Sequence, residues 1–412
     1  MEEPAKAGTQ NVLTKMVENK PNHSLAVLGF SVLLLLPSID TVLKYSGDLG
    51  IVAYIAAGTA AIFFCQRYVL PVNLSKIREN HAIFITILIF LALIVIVTIG
   101  YPIANSGTFG AGGDVDDAMI SAANDVVHGI FPYYKRTYLG LLISPMPGAI
   151  FFAIPFVLLS ALQYQNIFWL GALFVTVRSQ LKSGVAALGV LVTLLLFSPT
   201  VYHGLVTGSD YISNTIYIII AMWLMVTTLS DPESPLWKKL LPTMLLGVGL
   251  SSRTNFMLLL PLFLSVLVQT AGWREAVKYI AISLVVCFAV TIPFWLYDPA
   301  GFAPLISQAS KVRELESFLP FAGVLIPGST LLLSIALSFQ KMERDCAVFF
   351  RNSAIVQLFV LLFTSIVFAL QRGQVNFYMA HAGYGMFVLF FAVLAAWITI
   401  LKHAETPVSV EA

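Results

Sequence analysis

Charged residues are scarce in this chain: Asp, Glu, Lys and Arg make up 11% of its 412 residues, against about 25% in ordinary soluble domains. Hydrophobic residues account for 58%, and the mean hydropathy is +0.87. This composition excludes a soluble globular enzyme. Because the net charge is only +2 and the Lys and Arg residues are scattered, the sequence predicts no basic face for nucleic acid.

Cysteine is scarce as well, with three residues in the whole chain. Cys65, Cys287 and Cys346 lie in or beside apolar segments and show no CxxC spacing. This pattern excludes a disulfide framework and a zinc site with the usual ligand spacing. The first 23 residues contain no apolar core of a cleaved signal peptide, so we expect residues 1–23 to form a polar cytoplasmic tail.

What the sequence does contain is a series of long apolar runs. Runs such as Ala82 to Gly100 approach the roughly 20 residues that cross a hydrocarbon core as a helix. We therefore predict an all-α, polytopic transmembrane protein with about 12 spans, within a range of about 11 to 13. The predicted spans are 24–43, 51–71, 82–103, 148–177, 183–199, 212–229, 240–252, 254–271, 277–297, 321–340, 353–371 and 376–401. The run 148–177 is expected to break near Gln163 to Asn166, and 240–252 with 254–271 to form a short hairpin.

The distribution of Lys and Arg predicts the orientation of these spans. With the N-terminus inside, 16 of the 23 basic residues fall in inner segments and 7 in outer ones, as the positive-inside rule requires. We expect a plasma (inner) membrane protein with both termini in the cytoplasm. Residues 24–401 would form one transmembrane domain, followed by the tail 402–412. Two long loops, 104–147 and 297–320, would lie outside, and loops of this length are usually functional.

The first outer loop carries the densest group of acids in the chain. Its residues from Asp114 to His128 predict an interfacial amphipathic helix. The expected apolar stripe is Met119, Ile120, Ala123, Val126 and Val127, and the polar stripe is Asp117, Ser121, Asn124 and His128. Asp114 stands at the expected N-cap, with Asp116 and Asp117 in the first turn. All three could serve only the helix end, because acids there favour the helix dipole.

The order of the motifs around this helix resembles that of a known family of membrane proteins. The acids are followed by Gly-Ile-Phe-Pro-Tyr at 129–133 and by Pro-Met-Pro-Gly at 145–148, which leads into a membrane helix. This order resembles the polytopic GT-C-type glycosyltransferases that use polyprenyl-phosphate sugars, and the resemblance covers 112–155. Weaker similarities to this family follow at 208–211, 247–253 and 376–380. The family usually places this loop after the first span, whereas three predicted spans precede it here.

The resemblance implies a catalytic Asp in the first outer loop and a sugar donor on a polyprenyl phosphate. It also implies an inverting transfer to a glycolipid, polysaccharide or other glycan. Such a transfer needs a base that takes the proton of the acceptor hydroxyl, and a carboxylate suits this role when a neighbouring acid raises its pKa. The candidates for the base are Asp114, Asp116 and Asp117, which the sequence does not rank.

The leaving lipid phosphate needs cations near the membrane interface. The basic candidates are Lys135, Arg136, Arg253, Lys311, Arg313 and Arg372, and the other substrate-binding candidates are Tyr133, Tyr134, Asp210 and His381. Arg253 stands out because an ionisable group at the tip of a short membrane hairpin usually has a function or a partner. Lys135 and Arg136 could instead be a snorkelling pair, and Asp210 a helix cap. We predict no metal site, although the acids could hold Mg²⁺ or Mn²⁺.

Two other classes of membrane protein remain open from the sequence. A transporter or flippase of a lipid or polar solute would also have many spans, but it usually carries ionisable groups in mid-membrane. A polymerase or ligase of lipid-linked glycans would also have a large outer loop, and we expect it to depend on arginines there. Because the acids of this chain cluster outside the spans, a surface-facing active site is favoured.

Overall fold

The computed structural model describes residues 21–65, 77–108, 113–342, 346–373 and 382–405. Within these ranges the secondary structure is helical, with no β-strand, which confirms the predicted all-α class. The α-helices are α1 (Pro21–Leu35), α2 (Ile39–Phe64), α3 (Glu79–Asn105), α4 (Val115–Val127), α5 (Pro147–Leu158), α6 (Gln165–Leu181), α7 (Gly184–Phe197), α8 (Pro199–Val206), α9 (Tyr211–Leu229), α10 (Leu236–Leu250), α11 (Leu260–Ala271), α12 (Trp273–Tyr297), α13 (Ala303–Glu316), α14 (Ala322–Ser338), α15 (Ala347–Arg372) and α16 (Gly385–Glu405). Short 3₁₀ helices cover Leu36–Ser38, Leu162–Tyr164, Thr254–Leu259 and Ala382–Tyr384.

Several of the described helices are long and apolar, as in a membrane protein. Seven helices are long and apolar enough to cross a membrane, and the number rises to nine if each of two bent pairs counts as one span. The two predicted spans 24–43 and 51–71 fall largely within one candidate, Leu28–Phe64, which contains a non-helical residue at Gly47. Helices α10 and α14 have only 15 and 17 residues. The twelve-span count is therefore not confirmed.

Both bent pairs have a clear break in the backbone. The predicted break in 148–177 is present, a few residues earlier than expected. Helix α5 ends at Leu158, and Ser160 has φ +51°. The helical segment that follows is bent by 118° relative to α5. Helix α8 leaves α7 at 88°, where Ser198 is non-helical and Pro199 opens the new helix. Proline fits a first helical position because its missing N–H needs no partner there.

Helix α9 forms the centre of the bundle. Of its 18 most apolar residues, 83% are buried inside the protein, and it packs against α6, α10, α11 and α16. Asp210 is the N-cap residue of α9 and is itself buried. The fold thus holds a carboxyl group at the end of its most enclosed helix.

Two glycines allow α10 to approach its neighbours closely. A Cβ atom on Gly247 would lie 2.6 Å from the carbonyl oxygen of Ser283 in α12. A Cβ atom on Gly249 would lie 2.8 Å from Cδ1 of Ile218 in α9. Small residues permit this kind of close packing between membrane helices. The end of α10, and with it Arg253, is consequently held against the start of α9.

Candidate functional site

The helix predicted in the first long loop is present as α4, and its buried face differs from the predicted stripe. Met119 and Ala123 are buried as expected, whereas Val127 is 44% exposed. The buried face also includes two acids, Asp116 and Asp125. An amphipathicity count cannot foresee this arrangement, because it assigns charged residues to the solvent side.

Asp116 is buried against the end of α3 and accepts two hydrogen bonds there. The Tyr101 hydroxyl donates to its Oδ2 at 2.6 Å, and the Asn105 amide donates to the same oxygen at 2.9 Å. Bonds to the ionised form stabilise a buried carboxylate. Our sequence reasoning missed both donors, although two polar residues four apart at the end of an apolar helix share one face and could have indicated them.

Asp114 stands at the N-cap position of α4, but its side chain makes no capping hydrogen bond. The role of Asp114 as a side-chain cap is therefore wrong. Its Oδ2 instead accepts a hydrogen bond from the Thr137 hydroxyl at 2.6 Å. The same hydroxyl oxygen accepts the backbone N–H of Leu141 at 3.2 Å. The start of α4 is thereby tied to the turn at 137–141.

Asp117 is the third acid, and it differs from the other two in its electrostatic environment. Partial burial raises its pKa above the usual 3.8, and the neighbouring Asp116 and then Asp114 raise it further. Its carboxyl group accordingly binds a proton more tightly than a free Asp. Asp117 has the property expected of a proton-accepting carboxylate.

Asp116 meets the segment that leads into α9. A Cβ atom on Gly208 would lie 3.0 Å from Cβ of Asp116 and 3.0 Å from Cε2 of Tyr101. The fold therefore brings Asp116 of the first long loop to the Gly-Ser-Asp-Tyr motif at 208–211, about 90 residues further along the chain.

Arg253 and Asp210 form the charged centre of this motif. The Arg253 Nη2 lies 2.5 Å from Oδ1 of Asp210, and the Asn214 amide donates to the other oxygen at 2.9 Å. The guanidinium also stacks on the Tyr211 ring, 4.7 Å from its centroid. Burial lowers the pKa of Arg253, but the adjacent Asp210 more than offsets this, and the net pKa is raised. Arg253 is therefore permanently charged in a site where its side chain is only 15% exposed.

The Pro-Gly motif before α5 is fixed to the segment that carries Arg253. The Gly148 N–H points at Ser251, 3.1 Å from its Oγ and 3.3 Å from its carbonyl oxygen. A Cβ atom on Gly148 would lie 2.1 Å from the carbonyl oxygen of Val248, so the two backbones can approach this closely only with glycine at this position. The motif at 145–148 and the motif at 247–253 thus form one contact.

The segment before α16 contacts Tyr211, beside Arg253. A Cβ atom on Gly383 would lie 2.6 Å from the Tyr211 ring, and the rings of Tyr384 and Tyr211 have centroids 5.4 Å apart. His381 and the motif 376–380 lie outside the described residues. Tyr384 is a further neighbour of the Arg253 site that sequence reasoning missed, since no motif marks it.

Four of the other predicted substrate-binding residues are consecutive in the first long loop, and the first of them, Tyr133, belongs to a buried apolar cluster. The Tyr133 hydroxyl donates to the Pro145 carbonyl oxygen at 3.1 Å, and burial raises the pKa of Tyr133. Tyr134 is 61% exposed. Lys135 pairs with the buried Asp125 at 2.6 Å, although its own side chain is 57% exposed. Arg136 donates to the Gly140 carbonyl oxygen at 2.8 Å.

The three remaining basic candidates are not brought to Arg253. Lys311 and Arg313 lie exposed on α13. Arg372, at the end of α15, pairs with Glu314 of α13 at 3.6 Å. Helix α13 does touch the site at one point, where the Gln308 amide lies 3.3 Å from the Thr254 hydroxyl. Among the predicted cations, Arg253 is the most buried, and it pairs with Asp210, two residues after the Gly208 that meets Asp116.

An open apolar groove of about 250 Å³ lies next to this site. It is lined by Met146, Phe288, Thr291, Ile292, Trp295, Phe302 and Leu305. The Thr291 hydroxyl lies 2.8 Å from the Ser251 hydroxyl, which connects the groove wall to the segment before Arg253. An elongated apolar ligand in this groove would have one end near the charged site.

Within the described residues, no group of three or more His, Cys, Asp or Glu side chains is placed to hold a metal ion. No family model, no curated protein and no solved structure matches this chain. The function must therefore be inferred from the chemistry of the site.

Proposed function

We propose that this protein is an integral membrane glycosyltransferase of GT-C type. It would transfer a sugar from a polyprenyl-phosphate donor to a glycolipid, polysaccharide or other glycan acceptor. The reaction would take place at the extracytoplasmic face of the inner membrane, with both termini in the cytoplasm. The observation that supports it best is the contact of Asp116 with Gly208, which lies two residues before the Asp210 that pairs with Arg253.

Hydrogen bonds hold one of the three acids in place, and the other two are candidates for the base. Asp116 is buried and accepts two hydrogen bonds at one oxygen, so it is suited to positioning and to raising the pKa of Asp117. Asp114 and Asp117 are only partly buried. In the proposed step the acceptor oxygen attacks the anomeric carbon, and its proton passes to one of these two carboxylates. The bond to the phosphate oxygen breaks, and its electron pair stays with the phosphate.

Arg253 is suited to stabilise the negative charge that develops on that phosphate. A guanidinium carries five N–H donors, and one Nη of Arg253 is used by Asp210. Its Nε is buried and has no hydrogen-bond partner in the described part of the chain. Preorganised donors of this kind are most effective in sites that exclude water.

The apolar groove supports a lipid-linked donor. Its lining is made of apolar and aromatic side chains apart from Thr291, and α12, which forms one wall, is a candidate membrane span. A polyprenyl chain in this groove would remain in contact with the lipid phase. Its phosphate could then reach the segment of Ser251 and Arg253.

The proposal is tested with membranes that contain the wild type or one of three variants, Asp114→Asn, Asp116→Asn and Asp117→Asn. Each is incubated at equal protein level with labelled polyprenyl-phosphate sugars, and sugar transfer is followed. The matched control is Asp231→Asn, an exposed acid at the opposite end of α9. We expect one donor to be consumed by the wild type and the control, and transfer to be lost in Asp114→Asn or Asp117→Asn.

Two outcomes would contradict the proposal. In the first, the wild type moves a lipid or solute across the bilayer and all three variants still do so, which would identify a transporter. In the second, a donor is consumed at the wild-type rate by every Asp variant but not by Arg253→Gln. That result would favour a polymerase or ligase that depends on arginine.

A further inference from the structure

The turn that follows the first long-loop helix presents an apolar tip. Tyr138, Leu139 and Leu141 are 66%, 55% and 55% exposed. The turn is closed by an isolated bridge between Arg136 and Leu142. Three large apolar side chains within four residues are unusual on a surface that faces water, and such patches mark protein or membrane contacts.

The tip has a fixed shape. The Thr137 N–H donates to the Leu141 carbonyl oxygen at 2.9 Å, and the Gly140 N–H donates to the Thr137 carbonyl oxygen at 2.8 Å. Gly140 has φ +75°, a left-handed conformation that glycine adopts readily. The backbone of the turn therefore holds these side chains outward, and this accounts for their exposure.

The segment that leads into this turn packs against the end of a candidate membrane span. The Phe131 ring stacks on the ring of Tyr297, the last residue of α12, with centroids 5.0 Å apart. Phe131 and Ile143, on the two sides of the turn, belong to the same buried apolar cluster. From the bridge to the tip the chain can extend by only about 10 Å. The tip is thus within reach of the headgroup layer, which adds roughly 5 to 8 Å on each side of the hydrocarbon core.

Cations flank the tip. Arg136 lies at the bridge, is exposed, and forms no ion pair with an acid among the described residues. Lys135 is 57% exposed although it pairs with Asp125. Apolar and aromatic residues with adjacent Lys or Arg are typical of segments that lie in the membrane interface, where the cations meet lipid phosphates.

We infer that the turn 136–142 inserts into the lipid headgroup layer of the membrane face that carries the candidate site. The occupant of the apolar tip is the phospholipid bilayer itself. Because the Thr137 hydroxyl donates to Asp114, insertion would fix this carboxylate at the lipid interface. The inference rests on exposure and geometry, and it does not depend on the glycosyltransferase proposal.

The test places an environment-sensitive fluorophore on one introduced cysteine in the full chain, reconstituted in vesicles of zwitterionic and anionic phospholipid. The test site is Leu139→Cys. The water-exposed control is Glu233→Cys, in the polar turn between α9 and α10, and the lipid-exposed control is Leu91→Cys, in the middle of α3. The parent chain, labelled in the same way, gives the background from its own three cysteines.

We expect the Leu139 probe to emit at shorter wavelength than the Glu233 probe. Lipids with a nitroxide at the headgroup should quench the Leu139 probe more than lipids with a nitroxide deep in the chain, with the reverse order for Leu91. Iodide in the water should quench the Leu139 probe less than it quenches the Glu233 probe. If iodide quenches both probes equally and the nitroxide lipids quench neither, the tip lies in water and the inference is wrong. If the Leu139 probe is shielded from iodide but also from both lipids, the tip is covered by protein, and the inference is equally wrong.

Discussion

Arg253 and Asp210 are 43 residues apart in the sequence and form a buried ion pair with an Nη2–Oδ1 distance of 2.5 Å. The pair joins the start of α9 to the segment that follows α10. Neither charge is easily solvated, because the two side chains are 15% and 1% exposed. The pair holds its two helices together as long as both partners are present.

Removing one partner of this pair should destabilise the protein strongly. Breaking a buried ion pair leaves an uncompensated charge and costs about 3 to 5 kcal/mol. We expect Arg253→Gln and Asp210→Asn each to lower the unfolding temperature in detergent clearly. The double variant should be more stable than the sum of the single changes predicts, because it leaves no buried charge. Additive losses would show that the pair is not coupled.

Gly208 should be required for activity as well as for stability. It has φ +65°, and an added Cβ atom would meet Asp116 and Tyr101 at 3.0 Å. We expect Gly208→Ala to shift Asp116 and to lower the proposed sugar transfer by on the order of 10- to 100-fold, as small misplacements in active sites do. The measurement is the initial rate of transfer at equal protein level.

Gly272 provides the matched control for this change. It has φ +87° and ψ 160° with nothing within 4 Å of an added Cβ atom, so Gly272→Ala introduces only backbone strain, on the order of 1 to 3 kcal/mol. Activity per folded molecule should be unchanged in Gly272→Ala. Equal losses in both variants would mean that strain alone explains the effect of Gly208→Ala.

The ionisation of Asp117 should appear in the pH dependence of stability. Its pKa in the folded protein is raised above 3.8, first by burial and then by Asp116 and Asp114. The folded state therefore binds this proton more tightly than the unfolded state, and stability falls as pH rises from 3.8 through the folded pKa.

The difference in unfolding temperature between the wild type and Asp117→Asn measures this effect. Because the variant cannot ionise, the wild type should lose stability relative to it as the pH rises through that window. A difference that does not change with pH, or that changes in the opposite direction, would show that the carboxyl group is not perturbed as described.

The apolar pattern of the sequence predicted the all-α membrane fold and the helix near 114–128, because both depend on local hydropathy. It predicted the break in 148–177, placed a few residues after Ser160, but it did not predict the bend at Ser198, which depends on tertiary packing. The predicted count of twelve spans is not confirmed. Asp114 and Asp116 were recognised as candidates, but their hydrogen-bond partners Thr137 and Tyr101 were not. These contacts join segments that are distant in the chain, and periodicity within one segment carries no information about them.

The contact of Gly148 with the end of α10 offers the sharpest test of how the site is assembled. An added Cβ atom would lie 2.1 Å from the carbonyl oxygen of Val248 and 2.8 Å from the backbone nitrogen of Ser252. Backbone atoms cannot rotate away as side chains can, so Gly148→Ala must separate α5 from α10. We expect a severe loss of folded protein and of unfolding temperature in detergent.

Gly328 in α14 is the matched control, because an added Cβ atom there has nothing within 4 Å. Gly328→Ala should be neutral or stabilising by roughly 0.5 to 1 kcal/mol, since alanine favours a helix over glycine. If Gly148→Ala folded as well as Gly328→Ala, the motif at 145–148 would not lie against the Arg253 segment. The convergence of acids and arginine on one site would then lose one of its supports, because the chain leading from the first long loop into α5 would no longer be fixed beside Arg253.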